Sequence, residues 1–216
     1  MVSCCIFDLD GVIVDTAKHH YTAWKRLANE LGFDFTEHDN ERLKGVSRVE
    51  SLKIILSIGG VTLDEATFNA SLTKKNDWYL DQINKIDDSE ILPGVKPFLT
   101  ALRNSGIKTA LGSASKNAVL ILERIGLIDY FDAIVDGNKV ANAKPDPEVF
   151  LIAAKETGCT PEQCVVFEDA VAGVQAALNA HMKVVGIGEA DVLGHANFVM
   201  PGFANVTPDS ILAKLQ

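Results

Sequence analysis

The chain has 216 residues, 47% of them hydrophobic and 23% charged, enough for one sizeable core or for a core with a small accessory domain. Its 20 Lys and Arg against 29 Asp and Glu leave a net charge of −9 with no basic run to offset it, which argues against a nucleic-acid partner. With no apolar run near the ~18 residues of a membrane span, no signal-peptide pattern and four cysteines without zinc spacing, the sequence predicts a cytoplasmic protein with reduced thiols and no membrane contact.

Val2 to Phe7 is a short β-rich run ending in Asp8-Leu9-Asp10-Gly11. It reads as a buried strand that delivers two carboxylates to its C-terminal end, where open α/β sheets bind ligands. An extended backbone would point Asp8 and Asp10 the same way, although Gly11 permits an immediate turn. Helical patterns with little strand signal fill Thr16 to Asp88. Ala17, Tyr21, Trp24, Leu27, Ala28 and Leu31 recur near the helical period until Gly32, and Ser47-x-x-Glu50 and Thr62-x-x-Glu65 read as capping boxes. This block, residues 16–88, is expected to be an inserted helical cap with hinges near Asp15 and near Asp87 to Pro93. Residues 1–15 and 89–216 are then the core.

From about residue 90, helical patterns over Val95 to Asn104, Lys116 to Ile125, Pro147 to Thr157 and Ala170 to Ala180 alternate with short strands. The strands are Ile107 to Leu111, Ala133 to Val135, Cys164 to Phe167 and Lys183 to Ile187. Such alternation predicts an α/β fold, a parallel sheet with helices on both faces. Asp146-Pro147, Thr160-Pro161 and Thr207-Pro208 each place a capping side chain before a proline at a helix start.

Several polar clusters fall at these strand ends and helix starts: Asp8 with Asp10, Ser113, Lys144, and Glu168 with Asp169. A carboxylate can attack phosphorus, and a second can protonate the leaving oxygen. Like charges at ~4 Å repel by roughly 4 kcal/mol per pair at an effective dielectric near 20, so four acids together need a cation such as Mg²⁺. Lys144 would add positive charge on a phosphoryl group, Ser113 a hydroxyl donor, and the amides of Ala114 and Ser115 a helix-start cradle. Each has a plainer reading: turn chemistry for Asp8 and Asp10, a solvated loop for Lys144, helix capping for Ser113 and for Glu168-Asp169.

Taken in order, Asp8-Leu9-Asp10-Gly11-Val12, Ser113-Ala114-Ser115, Lys144-Pro145-Asp146-Pro147 and Val166-Phe167-Glu168-Asp169-Ala170 resemble the four motifs of the haloacid dehalogenase superfamily of phosphotransferases. The resemblance spans essentially the whole chain. It implies a Rossmann-like core, Asp8 as nucleophile, Asp10 as general acid/base, and Ser113 and Lys144 on the phosphoryl group. It also implies Mg²⁺ held by Asp8, the Asp10 carbonyl and Asp169 with Glu168 in the metal site, and a C1-type cap.

Within that superfamily, the stretch Leu43-Lys44-Gly45-Val46-Ser47-Arg48 with Ser51, together with His20 and Lys75-Asn76, is similar to the substrate loop of the β-phosphoglucomutases. Ser115-Lys116-Asn117 is similar to their sugar-phosphate contact. Arg48 would grip the non-transferring phosphate, helped by Lys116 and Asn117, while Gly45 and Val46 offer backbone groups to sugar hydroxyls. Trp24, one turn after His20, is a candidate sugar platform; the alternatives are an exposed helix face for Arg48, a surface or hinge role for His20, cap core for Trp24 and solvated surface for Lys75 beside Lys74. The resemblance implies interconversion of β-glucose 1-phosphate and glucose 6-phosphate through an aspartyl-phosphate and β-glucose 1,6-bisphosphate, in a monomer whose partner is a small sugar phosphate. A sugar-phosphate phosphatase and a non-catalytic phosphosugar binder are the rivals.

Overall fold

The computed structural model describes residues 2–215; Met1 and Gln216, the outermost residues of the expected core, lie outside the described residues. Six parallel strands form one sheet in the order β3-β2-β1-β4-β5-β6. They are β1 (Cys4–Phe7), β2 (Lys108–Gly112), β3 (Ala133–Val135), β4 (Cys164–Glu168), β5 (Lys183–Ile187) and β6 (Phe198–Met200). The helices in chain order are α1 (Ala17–Glu30), α2 (Glu37–Glu41), α3 (Arg48–Gly59), α4 (Glu65–Ile83), α5 (Val95–Asn104), α6 (Ala118–Arg124), α7 (Glu148–Thr157), α8 (Val171–Asn179), α9 (Ala190–Leu193) and α10 (Pro208–Leu212). The expected α/β class and parallel sheet are therefore present.

Strand alternation builds two cores. Cys5 and Phe7 of β1 face one side with α5, α6 and α10, while Cys4 and Ile6 face the other with α7, α8 and α9. The first side is aromatic: Phe7 stacks on Phe167 at 4.8 Å, with Phe98 and Phe203 against them. On α5, Val95, Phe98, Leu99 and Leu102 recur at helical spacing and are all buried. A third cluster belongs to the helices inserted after β1, centred on Trp24, Leu27, Phe35, Leu52 and Ile55. No helix among the described residues is long and apolar enough to cross a membrane.

The strand order reverses direction at β1, between β2 and β4, which is where such sheets open a crevice at their C-terminal edge. Register then decides what sits there. Phe7 pairs with Phe167, and the Asp8 amide donates to the Phe167 carbonyl at 2.9 Å, so Asp8 emerges beside Glu168.

Several local expectations change. Asp64, not Thr62, caps α4, accepting from the Thr67 amide at 2.8 Å. Ser47 accepts from the Glu50 amide at 3.3 Å, but the Glu50 carboxylate pairs with Lys53, so that box is half formed. Asp146 accepts from the Glu148 amide at 3.0 Å, which makes Pro147 the residue before the helix rather than its first turn. Helix α2 carries a full capping box from Thr36 and Asp39 and, at five residues, is too short to show a helical period. Strand β6, three residues long, is too short to show a period.

Candidate active site

Asp8, Glu168 and Asp169 each bring a carboxylate oxygen within 4.8 Å of the others at the C-terminal ends of β1 and β4. Lys144 lies between two of them, its Nζ donating to Asp8 Oδ1 at 2.6 Å and to Glu168 Oε2 at 2.8 Å, with all three groups buried. Glu168 Oε1 accepts from the Ala170 amide at 3.0 Å. Two glycines make room. A Cβ on Gly173 would lie 2.0 Å from Glu168 Cδ, and one on Gly11, whose φ is +79°, would lie 2.2 Å from Asp169 Oδ2.

Three carboxylates and one ammonium leave excess negative charge in a buried space. Burial, opposed by Lys144 and reinforced by Asp8, pushes Glu168 up to about 7. Burial together with Glu168 and Asp8 holds Asp169 well above the usual carboxylate range. For Lys144, burial works against the charge, yet Asp8 and Glu168 outweigh it and raise the ammonium above its ordinary value. An all-oxygen donor set that is short of positive charge fits a hard divalent cation.

Asp10 departs from the expected picture. Its side chain is not in the acidic cluster; it accepts from Thr16 Oγ1 and faces His20 Nε2 at 3.9 Å. The reason is local: the strand ends at Phe7, and the Gly11 amide turns back to the Val14 carbonyl at 2.8 Å. The clustered carboxylates therefore number three, not four. Burial, then the charge of Asp8, pushes Asp10 up to about 6 against the Thr16 hydrogen bond.

Ser113 is buried at the end of β2, its Oγ accepting from the Ser115 amide at 3.1 Å, and Ser115 Oγ accepts from the Asn117 amide at 3.2 Å. The Ser115 amide is thus already engaged. Helix α6 starts only at Ala118, so Ala114 and Ser115 are loop residues and not the helix start that was expected. Lys116 is exposed. Asn117 reaches the inserted helices, donating from Nδ2 to Asn76 Oδ1 at 3.1 Å.

On the inserted helices, Lys75 is 1% exposed, which corrects the solvated-surface alternative. Its Nζ lies 3.0 Å from His20 Nδ1, 4.4 Å from the Trp24 ring centre and 4.7 Å from that of Tyr79. The phase of α4 points Lys75 and Tyr79 inward and Lys74 outward, to Glu30. Burial and the charge of Arg48 hold Lys75 well below the usual ammonium range, with Asp10 opposing. Burial, Lys75 and Arg48 likewise keep His20 low. Trp24 lies in the buried cluster of the inserted helices and also faces the Lys75 ammonium. Arg48 opens α3, half-buried, and Ser51 is buried one turn on. Val46 packs on the helical cluster, while Gly45, at φ +72°, touches the core: a Cβ there would lie 2.6 Å from that of Ala170. Thr16 and Tyr79 border this site without a motif that marks them in the sequence. Thr16 opens the helical pattern four residues before His20, with no signal for its bond to Asp10, and the tilted ring contact of Tyr79 with His20 at 4.2 Å is long-range.

The model of the haloacid dehalogenase-like hydrolases matches residues 2–181. The chain is 42% identical over 204 residues to a β-phosphoglucomutase of Bacillus subtilis, covering 94% of this chain and 90% of that protein. It is 32% identical over 214 residues to a phosphorylated carbohydrates phosphatase of Thermotoga maritima, covering 98% and 97%. The crystal structure of a β-phosphoglucomutase from Clostridium difficile is similar with a TM-score of 0.95 at 41% identity, covering 99% of this chain and 97% of that one. The four ordered motifs, the switch-point carboxylates and these matches agree, and the chain belongs to the haloacid dehalogenase-like hydrolase family.

Proposed function

We propose that this protein is a β-phosphoglucomutase, interconverting β-glucose 1-phosphate and glucose 6-phosphate. The observation that carries this reading is the buried cationic group on the inserted helices. Lys75, with His20 at 3.0 Å and the charge of Arg48 close by, has no carboxylate within ion-pair distance among the described residues. A cation held in apolar surroundings without a counterion is costly, and a dianionic phosphate is the partner that offsets that cost. A mutase needs such a second phosphate site; hydrolysis of a simple ester does not.

In the proposed reaction Asp8 starts phosphorylated and donates to a free hydroxyl of the sugar monophosphate. The new P–O bond to the sugar forms as the P–O bond to the carboxylate breaks, Asp10 takes the hydroxyl proton, and β-glucose 1,6-bisphosphate results. Ser113 and Lys144 hold oxygens of the transferring group. The bisphosphate then turns over in the site, an oxygen of Asp8 attacks the phosphorus at its other end, and the P–O bond to the sugar breaks as Asp10 returns the proton to the leaving oxygen. This restores the aspartyl-phosphate and releases the other sugar monophosphate. Arg48, Lys75 and His20 hold the phosphate that is not transferring, with Lys116 and Asn117 assisting from the core. Ser51, Asn76 and the backbone of Gly45 and Val46 border the sugar. Residues 16–88 act as a cap on the core of 1–15 and 89–216, excluding water from Asp8. Asp8, Glu168, Asp169 and the Asp10 carbonyl would hold Mg²⁺, which when bound supplies positive charge to the phosphoryl oxygens and neutralises the carboxylates. Four free cysteines and a monomeric chain in the cytoplasm complete the reading.

The similarity to a phosphorylated carbohydrates phosphatase makes hydrolysis the competing outcome. The test is β-glucose 1-phosphate with Mg²⁺ and a trace of the bisphosphate. Glucose 6-phosphate forming faster than free glucose supports the mutase; the reverse makes the protein a phosphatase.

A further inference from the structure

Asp136, Gly137 and Asn138 follow β3 and read in the sequence as a plain turn. In the fold this turn lies directly behind residues 113–117. The Ser113 amide donates to the Val135 carbonyl at 2.9 Å and the Gly137 amide donates to the Ser115 carbonyl at 3.1 Å. Asn138 Nδ2 donates to the Lys116 carbonyl at 3.0 Å. Its other amide hydrogen serves Asp136 Oδ2 at 2.9 Å, so both donors of the side chain are used. Asp136 is buried and shapes the turn, Oδ1 accepting from the Asn138 amide at 2.9 Å and its carbonyl from the Lys139 amide at 3.0 Å. Gly137 leaves no space: a Cβ would lie 2.4 Å from the Ala114 carbonyl oxygen and 3.1 Å from Lys116 Cγ.

The loop behind which this turn sits has no regular structure until α6 begins at Ala118. Its remaining ties are the two internal serine bonds, the Ile121 amide on the Asn117 carbonyl at 3.0 Å and the Asn117 side-chain contact to Asn76. We propose that Asp136, Gly137 and Asn138 form a clamp that fixes the phosphate loop, with Gly137 positioning the end that serves phosphoryl transfer and Asn138 only the Lys116–Asn117 end, away from the transferring group. The inference rests on reading residues 113–117 as phosphate-binding. Gly137 sets the depth of the loop at Ala114 and hence of Ser113; Asn138 sets the orientation of the Lys116–Asn117 segment. A loop held in its binding geometry before substrate arrives loses less freedom on binding, and the benefit is read in KM.

The test uses the full chain with Gly137→Ala and Asn138→Ser. It measures kcat and KM for β-glucose 1-phosphate and for p-nitrophenyl phosphate, with the melting temperature of each variant. Gly137→Ala must displace the Ala114 carbonyl and is expected to lower kcat/KM for both substrates by about 100-fold, the scale of a misplaced reacting group. Asn138→Ser leaves Ser113 in place. It is expected to raise the sugar-phosphate KM roughly tenfold while kcat and p-nitrophenyl phosphate hydrolysis stay within about twofold. Unchanged KM values in both variants would overturn the clamp, as would losses that simply track a lower melting temperature. Wild-type protein that hydrolyses p-nitrophenyl phosphate but makes no glucose 6-phosphate would remove the mutase reading alone. The clamp would then be judged on the two hydrolytic KM values.

Discussion

Lys75→Met should make the ligand-free protein more stable and the enzyme worse. The wild-type ammonium is 1% exposed, with two aromatic faces and one imidazole nitrogen around it. Burying a charge without a counterion costs several kcal/mol even after relaxation. Two cation–π contacts return about 0.5–2 kcal/mol each, and a hydrogen bond about 1 kcal/mol. Methionine keeps the length and the ring contacts and removes the charge, so a net gain of about 1–3 kcal/mol is expected, or about 2–4 °C of melting temperature for each kcal/mol. The pH dependence gives a second check. Burial lowers the Lys75 pKa in the fold, so between that value and the unfolded ~10.4 the unfolded chain binds more protons and wild-type stability rises with pH. The advantage of methionine should therefore be full at low pH and shrink as pH climbs towards 10. Scanning calorimetry of both proteins in phosphate-free buffer at several pH values measures this, with mutase kinetics alongside. A methionine variant that melts below wild type at every pH would refute the argument that Lys75 is an uncompensated cation.

Other outcomes follow from the same geometry. Arg48→Ala should cut mutase kcat/KM by about 30–100-fold, the worth of a charge-assisted contact, and leave p-nitrophenyl phosphate hydrolysis within about twofold. Equal effects on both reactions would dismiss the second-phosphate role. Gly173→Ala drives a methyl into Glu168 Cδ, so it should cost about 1–3 kcal/mol in thermal unfolding and weaken Mg²⁺ activation in a metal titration. EDTA should silence the enzyme and Mg²⁺ restore it; full activity in chelator would contradict the three-carboxylate cation site.

The sequence disclosed whatever local order controls. Asp8, Ser113 and Glu168 fall at strand ends or just beyond them, Lys144 falls shortly before a helix start, and parallel register alone brings Asp8 next to Glu168. What it concealed depends on tertiary contacts. Asp10 looks like a partner of Asp8, yet one left-handed glycine turns it towards Thr16 and His20. Lys75 beside Lys74 resembles surface until α4 is docked on Trp24, which inverts its meaning. Asn138 shows no signal, because a side-chain bond to a main-chain carbonyl 22 residues away has no sequence pattern. The capping pattern at Thr62 points two positions too early, because Asp64, a stronger acceptor, takes the helix amides.

The most direct measurement is rapid-quench mass spectrometry of the peptide that contains Asp8, taken during turnover of β-glucose 1-phosphate primed with its bisphosphate. The account predicts a phosphoryl group on Asp8 that rises before glucose 6-phosphate and vanishes in Asp8→Asn protein along with all product. Glucose 6-phosphate forming while Asp8 stays unmodified, or persisting in the Asp8→Asn variant, would contradict it.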